Sequence, residues 1–153
     1  MKNNIQQNPI HLGLGATAVV EPQFNGKMEW YAEYGGRHAS DGAEGRLVNL
    51  HTFTESWNEW EVHPNGSEVV LCVAGSITLH QEKPDGTKAT VTLEPEEYTV
   101  NEPGTWHTAD IADSATVLFS LQGRAPKVGR DKRDSCLSSR TMTANKRSTL
   151  AVI

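Results

Sequence analysis

The sequence predicts an all-β domain in which antiparallel strands form a single sandwich or barrel. Between Glu68 and Leu121 there are six short segments rich in β-branched residues, separated by Gly, Pro, Asp or Glu at turn positions. No apolar pattern keeps the 3.6-residue helical period for three turns. With 153 residues, the chain suits one domain with a single core.

The region before the first regular strand is less patterned. Residues 1–15 are mostly polar and are predicted to form an N-terminal arm. The segments LGATAVV and KMEWYAEY are predicted to be short edge strands, divided by Pro22 and an Asn-Gly pair. Residues 35–45 are rich in Gly and small polar side chains, which predicts a loop able to cover a binding mouth.

Alternation and turn chemistry define the strands that follow. The segment RLVNLHTFT, residues 46–54, alternates in polarity and predicts a half-buried strand. Pro-Asp-Gly at residues 84–86 predicts a hairpin between SITLHQE and KATVTLE, because Pro fixes φ at the first turn residue and Gly accepts a positive φ.

The charge of the chain divides it into two parts. Residues 1–122 carry six Lys/Arg against 17 Asp/Glu, whereas residues 123–153 carry eight Lys/Arg against two Asp. The second part is predicted to be a basic, largely disordered tail, with a short helix around Ser138–Lys146 as the alternative. An acidic domain argues against nucleic acid as the main partner, because binding the phosphate backbone needs a basic face.

Apolar runs and cysteines indicate the cellular compartment of the protein. No apolar run reaches the roughly 20 residues needed to cross a bilayer, and the N-terminus lacks a basic-then-apolar signal pattern. Cys72 lies in an apolar strand and Cys136 in the polar tail, so no disulfide framework is indicated. We therefore expect a cytoplasmic protein without a membrane partner, in which Cys72 is a small buried hydrophobe.

Two spaced patterns of polar residues lie on the predicted strands. Glu61 and His63 are two residues apart, so on a strand they face the same side, and a Pro-Asn-Gly turn then leads to Glu68 on the next strand. One small pocket could receive all three side chains. The second pattern is Gly104-x2-His107, on a later strand.

Together these patterns resemble the two motifs of the cupin superfamily. There the first motif carries His-x-His, then Glu, then Gly, and the second carries Pro, Gly and His. The match lies within residues 57–110. It implies a single jelly-roll β-barrel over residues 16–122, with His63, Glu68 and His107 at three of the family's metal-ligand positions.

The sequence also departs from the cupin pattern. Glu61 stands at the first histidine of the family motif, and Ile111 stands where an asparagine is expected. Glu55 and Glu96 replace the glycines that usually open each motif. Glycines at barrel corners are backbone devices, so their loss removes no ligand, whereas Glu61 changes the metal chemistry.

The resemblance implies a site for one divalent transition metal ion. Two histidines and one carboxylate leave open coordination positions, and Fe, Mn, Zn or Ni all suit such a set. Glu61 is predicted to be a fourth ligand, an acceptor for a ligand N–H, or a general base. The alternative is that Glu61, His63, Glu68 and His107 form a hydrogen-bonded cluster without metal.

Three other residues are candidates for substrate binding. His51 could project into the same cavity, Asp110 could add a carboxylate at its mouth, and Trp106 could stack on a substrate. Each of these residues also has a structural interpretation. His51 could be a hydrogen-bonded histidine of the fold, and Asp110 could be a surface carboxylate. Trp106 immediately precedes a candidate ligand, so on a strand its indole would face away from the site and pack outside the barrel.

Two classes of function follow. The first is a metal-dependent enzyme that acts on a small organic molecule by oxygenation, isomerisation or elimination. The second is a non-catalytic cupin module that binds a small ligand or metal for sensing or storage. The resemblance also implies a homodimer.

Overall fold

The computed structural model describes residues 1–122 and 127–131. These residues form eleven strands, one α-helix and two short 3₁₀ turns at Leu14–Ala16 and Ala39–Asp41. In chain order the main elements are β1 (Ile10–Gly13), β2 (Thr17–Val20), α1 (Met28–Arg37), β3 (Arg46–Phe53), β4 (Glu59–Val62), β5 (Glu68–Gly75), β6 (Ile77–Glu82), β7 (Lys88–Leu93), β8 (Tyr98–Asn101), β9 (Trp106–Asp110), β10 (Ala115–Gln122) and β11 (Lys127–Asp131).

The strands form two antiparallel sheets that pack as a jelly roll. One sheet has the order β2-β1-β3-β10-β5-β8 and the other has the order β11-β4-β9-β6-β7. Alternate residues of both sheets fill the space between them, and the largest group of buried apolar side chains includes Val70, Leu79, Val117 and Phe119. The predicted all-β, single-barrel fold class is confirmed.

The predicted hairpin is present as β6 and β7. Its strands pair from Ile77 with Leu93 to Glu82 with Lys88, and the Lys83 N–H donates to the carbonyl oxygen of Thr87 across the turn at 2.8 Å. Local turn chemistry therefore sets the register that places one face of β6 in the core.

Backbone conformation at two strand junctions bears on the family motifs. Gly75, at the end of β5, has a φ of 74°, and a Cβ added there would collide with the backbone of Ser114. Glu96 has a φ of 75° although it is not glycine. At Glu96 the chain keeps a left-handed turn while carrying a side chain that this conformation disfavours.

The segment KMEWYAEY is a helix, so the prediction of an extended strand is wrong. Trp30, Tyr31 and Tyr34 are each 2% exposed and pack with Leu47 of β3. These aromatic residues have high strand propensity, but packing of one face of a short helix against β3 decides the outcome. The helix also takes in Gly35–Arg37, the start of the predicted loop.

A hydrogen-bonded network joins α1 to the edge of the six-stranded sheet. The Nδ1 of His11 in β1 lies 2.6 Å from the Tyr34 hydroxyl, and its Nε2 lies 2.7 Å from Oδ2 of Asp41. His38 lies at the end of α1, with its Nε2 2.6 Å from Oε1 of the buried Glu21. These contacts hold the helix across one side of the barrel.

Two strands lie near the ends of the described residues. Within the predicted N-terminal arm, Ile10–Gly13 pairs with β3 as a strand of the six-stranded sheet. Within the predicted tail, Lys127–Asp131 pairs with β4. Residues 123–126 and 132–153, including Cys136 and the alternative helix, lie outside the described residues.

The helices in the described ranges are short. None of them has the length and apolar character needed to cross a membrane.

Gly75 provides a test of the barrel geometry. We expect Gly75→Ala to destabilise the fold by more than Gly86→Ala, because both positions have positive φ but only Gly75 faces a backbone atom that a Cβ would strike. Gly86→Ala, in open space, should cost about 1–2 kcal/mol. Urea unfolding of both variants measures the difference, and equal losses would contradict the predicted collision.

Candidate metal centre

The candidate ligands come together where both sheets contribute to one end of the barrel interior. Glu61 of β4 and His107 of β9 are paired across the two strands. His63 directly follows β4, and Glu68 is the first residue of β5 in the other sheet. The four side chains are buried, with exposures of 4% for Glu61, 6% for His63, 1% for Glu68 and 0% for His107.

The imidazole nitrogens converge on one carboxylate. Oε1 of Glu68 lies 3.4 Å from Nε2 of His63, and Oε2 lies 3.1 Å from Nε2 of His107. One ligand atom from each of Glu61, His63 and His107 also falls within 4.8 Å of the others. Glu68 therefore lies close to both histidines, and Glu61 forms a second group with the same two histidines.

The orientation of His107 leaves one nitrogen facing this group. Its Nδ1 lies 3.1 Å from the carbonyl oxygen of Thr105, so Nδ1 carries the proton and donates it. Its Nε2 and that of His63 have no hydrogen-bond partner of acceptable geometry in the described structure, despite their proximity to Glu68. Histidines that ligate a metal commonly have this arrangement, with one nitrogen anchored and the other directed at the ion.

Two amide side chains hold Glu68 in place. Asn101 of β8 donates from Nδ2 to Oε2 of Glu68 at 2.9 Å, and Gln81 of β6 donates to Asn101 in turn. Gln81 also pairs with His107 across β6 and β9. Sequence reasoning missed both amides, because each occupies an ordinary strand position and neither belongs to the motif.

Charge interactions favour the ionised forms within this group. Burial alone raises the pKa of Glu68, but His107 and His63 outweigh it and hold the pKa well below its usual range. Burial alone lowers the pKa of His107, but Glu68 and then Glu61 raise it above its usual range. A divalent cation could replace the proton that otherwise balances these carboxylates.

Comparisons with solved structures find similarities at low sequence identity and with TM-scores below 0.5. A cupin-2 domain containing protein from Shewanella frigidimarina is 17% identical, with a TM-score of 0.41 over 49% of this chain and 68% of that one. A protein with a double-stranded β-helix domain from Klebsiella pneumoniae is 14% identical, with a TM-score of 0.47 over 56% and 76% of the two chains. Hydroquinone 1,2-dioxygenase from Sphingomonas sp. TTNP3 is 16% identical, with a TM-score of 0.45 over 51% and 60%.

No protein-family model matches the chain, and no curated protein matches its sequence. The two antiparallel sheets bring residues of both motifs together inside the barrel. The chain therefore has the jelly-roll fold that the cupin resemblance predicts.

Helix α1 carries a further buried polar side chain. Tyr31 is 2% exposed, and its hydroxyl has no hydrogen-bond partner among the described residues. Burial, followed by the charges of Glu61 and Glu68, raises the pKa of its phenol above the usual range. Because the segment was predicted to be an edge strand, sequence reasoning did not place Tyr31 near the candidate ligands.

His51 lies inside the barrel but outside the group of candidate ligands. Its ring centroid is 5.2 Å from that of Phe24 and 6.2 Å from that of Phe119. This burial lowers the pKa of His51 to about 4. At neutral pH His51 is therefore an uncharged polar group in an aromatic wall.

Asp110 and Trp106 face away from the barrel interior. Asp110 lies on the opposite face of β9 from His107 and accepts a hydrogen bond from His80 at 2.7 Å. Trp106 also alternates with His107, and its ring lies so close to Gly129 of β11 that a Cβ there would sit 2.9 Å away. The structure therefore does not bring these two predicted substrate-binding residues to the candidate site.

A second group of possible ligands belongs to the network that holds α1. The ligand atoms of His11, His38 and Asp41 lie within 4.8 Å of one another. However, the two imidazoles stack with centroids 3.5 Å apart and planes at 13°. Imidazole lone pairs lie in the ring plane, so two stacked rings cannot both point at one ion. We interpret this group as structural.

The buried histidine gives a prediction about pH. Between pH 6.5 and 4 the unfolded chain binds a proton at residue 51 that the folded chain does not, because the folded pKa falls from 6.5 to about 4. Stability should therefore fall as the pH is lowered through this range, and His51 should contribute about 2 kcal/mol of the loss between pH 7 and 5.

Urea unfolding of the chelator-treated protein at both pH values measures this effect. In His51→Leu the loss of unfolding free energy between pH 7 and 5 should shrink by about 2 kcal/mol. The matched variant is His80→Leu, at a partly exposed histidine. It should show the same loss as the wild type. An unchanged pH dependence in His51→Leu would show that His51 is not the group responsible.

Proposed function

We propose that this cupin binds one divalent transition metal ion through His63, Glu68 and His107, with Glu61 as a fourth ligand. The observation that carries the proposal is the convergence of two histidine Nε2 atoms on Glu68, at 3.4 and 3.1 Å, without hydrogen bonds of good geometry. The donor set of two imidazoles and two carboxylates fits Fe, Mn, Zn or Ni.

The balance of charge supports this donor set. Glu61 and Glu68 bring two carboxylates into a site that is almost completely removed from solvent. Buried charges are strongly unfavourable unless they are paired or coordinate a metal. A divalent cation neutralises both carboxylates at once and leaves the histidines uncharged.

We propose that the site is catalytic and acts on a small organic molecule by oxygenation, isomerisation or elimination. A bound transition metal ion supplies Lewis-acid or redox chemistry at such a site. The protein supplies a site whose side chains are almost fully buried, and Glu61 offers a carboxylate that accepts a proton if it is not occupied as a ligand. Because the candidate ligands are at most 6% exposed, the substrate must be small.

The second candidate function is a non-catalytic module that binds a metal or small ligand for sensing or storage. The enclosure of the site favours it: α1 lies across one side of the barrel, and its buried aromatic residues pack directly on β3. A closed site suits retention of a ligand as well as turnover. The homodimer and the cytoplasmic location stay predictions.

Metal content tests the proposal. Protein purified without chelator, or reconstituted under anaerobic conditions, should hold one transition metal ion per chain by elemental analysis. His63→Ala and His107→Ala should each abolish retention, because each removes one of the nitrogen donors. His80→Ala, on the outer face of the five-stranded sheet, is the matched control and should retain the metal.

Two results would count against this proposal. Wild-type protein that takes up no transition metal after reconstitution would exclude the metal centre. Full metal content in either His63→Ala or His107→Ala, with the fold checked by circular dichroism, would show that the ligand assignment is wrong.

Glu61→Gln separates the roles open to this residue. If Glu61 is a direct ligand, we expect the affinity for Zn²⁺ to fall by more than about 100-fold, beyond the 10- to 100-fold typical of outer-shell partners. Competition with a chromophoric chelator measures the affinity. A smaller loss would instead make Glu61 an acceptor or base beside the metal.

A further inference from the structure

A cavity lies beside the network that holds α1. Its volume is about 120 Å³, roughly the space of four water molecules, and its lining includes none of the four candidate metal ligands. Its floor is formed by His11, Tyr34 and Gln122, which are 2%, 2% and 7% exposed. Its rim is formed by Ala39 and Gly42, which are exposed. A molecule of a few non-hydrogen atoms can therefore enter from solvent and reach buried polar side chains.

Hydrogen bonds fix the tautomer of His38, which also lines this cavity. Nε2 of His38 lies 2.6 Å from Oε1 of Glu21, a buried carboxylate whose other oxygen accepts from Arg37 at 2.8 Å. An ionised carboxylate only accepts hydrogen bonds, so Nε2 carries the proton. In the uncharged imidazole, Nδ1 of His38 is then an acceptor.

Gln122 and Tyr34 are restricted in the same way. Nε2 of Gln122 faces the carbonyl oxygen of Ala43 at 3.5 Å, which leaves Oε1 as the acceptor end of the amide. Nε2 of His11 lies 2.7 Å from Oδ2 of Asp41 and carries the proton, so the Tyr34 hydroxyl donates to Nδ1 at 2.6 Å. Having donated its one proton, the Tyr34 oxygen can only accept from a further partner. Burial raises the pKa of Tyr34, so its hydroxyl keeps that proton.

The charge around the cavity favours a cation. Gly35, in the last turn of α1, also lines the cavity, and the C-terminal end of a helix carries a partial negative charge. When both imidazoles are uncharged, the adjoining network holds two carboxylates, Glu21 and Asp41, and one cation, Arg37. A bound positive charge would balance the remaining carboxylate.

We propose that this cavity binds a small primary ammonium compound, at a site separate from the candidate metal centre. The three N–H donors of an ammonium group match three acceptors in the lining: Nδ1 of His38, Oε1 of Gln122 and the hydroxyl oxygen of Tyr34. A metal ion fits poorly, because the stacked imidazoles of His11 and His38 cannot both point at it. An anion also fits poorly, because these side chains present acceptors where it needs donors.

Titration of the full chain with methylammonium chloride tests this proposal. The backbone amide signals of Gly42 and Gly45 in proton–nitrogen NMR spectra should shift and saturate, because both glycines line the cavity. Tetramethylammonium has the same charge but no N–H donor, so it should cause no saturable shift. Acetate, an acceptor with negative charge, should cause none either.

Three variants then locate the ammonium group. Gln122→Leu removes one acceptor and should raise the methylammonium Kd by about 10-fold, as expected for loss of a hydrogen bond to a charged group. Gln122→Glu adds a negative charge and should lower the Kd. Ala39→Leu places a larger side chain at the exposed rim and should block binding. The matched control is Gln6→Leu, which should keep the wild-type Kd, because Gln6 bonds to Thr52 whereas Gln122 pairs with Arg46 at the opposite end of β3.

Three results would overturn the inference. Absence of saturable shifts with methylammonium in the wild type would show that the cavity holds only solvent. Equal binding of tetramethylammonium or acetate would show that donation to the three acceptors does not select the ligand. A wild-type Kd in both Gln122→Leu and Ala39→Leu, with the fold checked by the same spectra, would place the binding elsewhere.

Discussion

The carboxylate of Glu68 sets the strongest constraint on this fold. A group that is 1% exposed and ionised must be compensated within the protein, because transferring a charge out of water is very costly. His63 and His107 approach its two oxygens from one side, and Asn101 donates from β8. Those partners come from both sheets, so the same carboxylate that organises the site also fixes how the sheets meet.

Much of this arrangement is determined locally and could be predicted from the sequence. Alternation along a strand decides which side chains share a face, so Glu61 and His63 were placed together without knowledge of the fold. Turn residues decide where strands reverse, which gave the β6–β7 hairpin. The convergence of Glu68 and His107 required the family resemblance, because it depends on how distant strands pair.

The parts that could not be predicted depend on tertiary packing. The segment bearing Trp30 and Tyr31 has the composition of a strand, and only its contact with Leu47 makes a helix the better solution. Asn101 and Gln81 look like ordinary strand residues until β8 and β6 are placed beside Glu68. In the same way, β11 gains its structure by adding to the edge at β4 rather than from its own basic sequence.

The turn at Glu96 shows that a backbone conformation and a residue type are separable. The cupin motif usually opens with glycine at this position, and the backbone of Glu96 has a left-handed φ of 75°, which glycine adopts without strain. The path of the main chain at this corner is therefore maintained by the surrounding fold, at a cost in conformational strain, and not by the residue that the motif names.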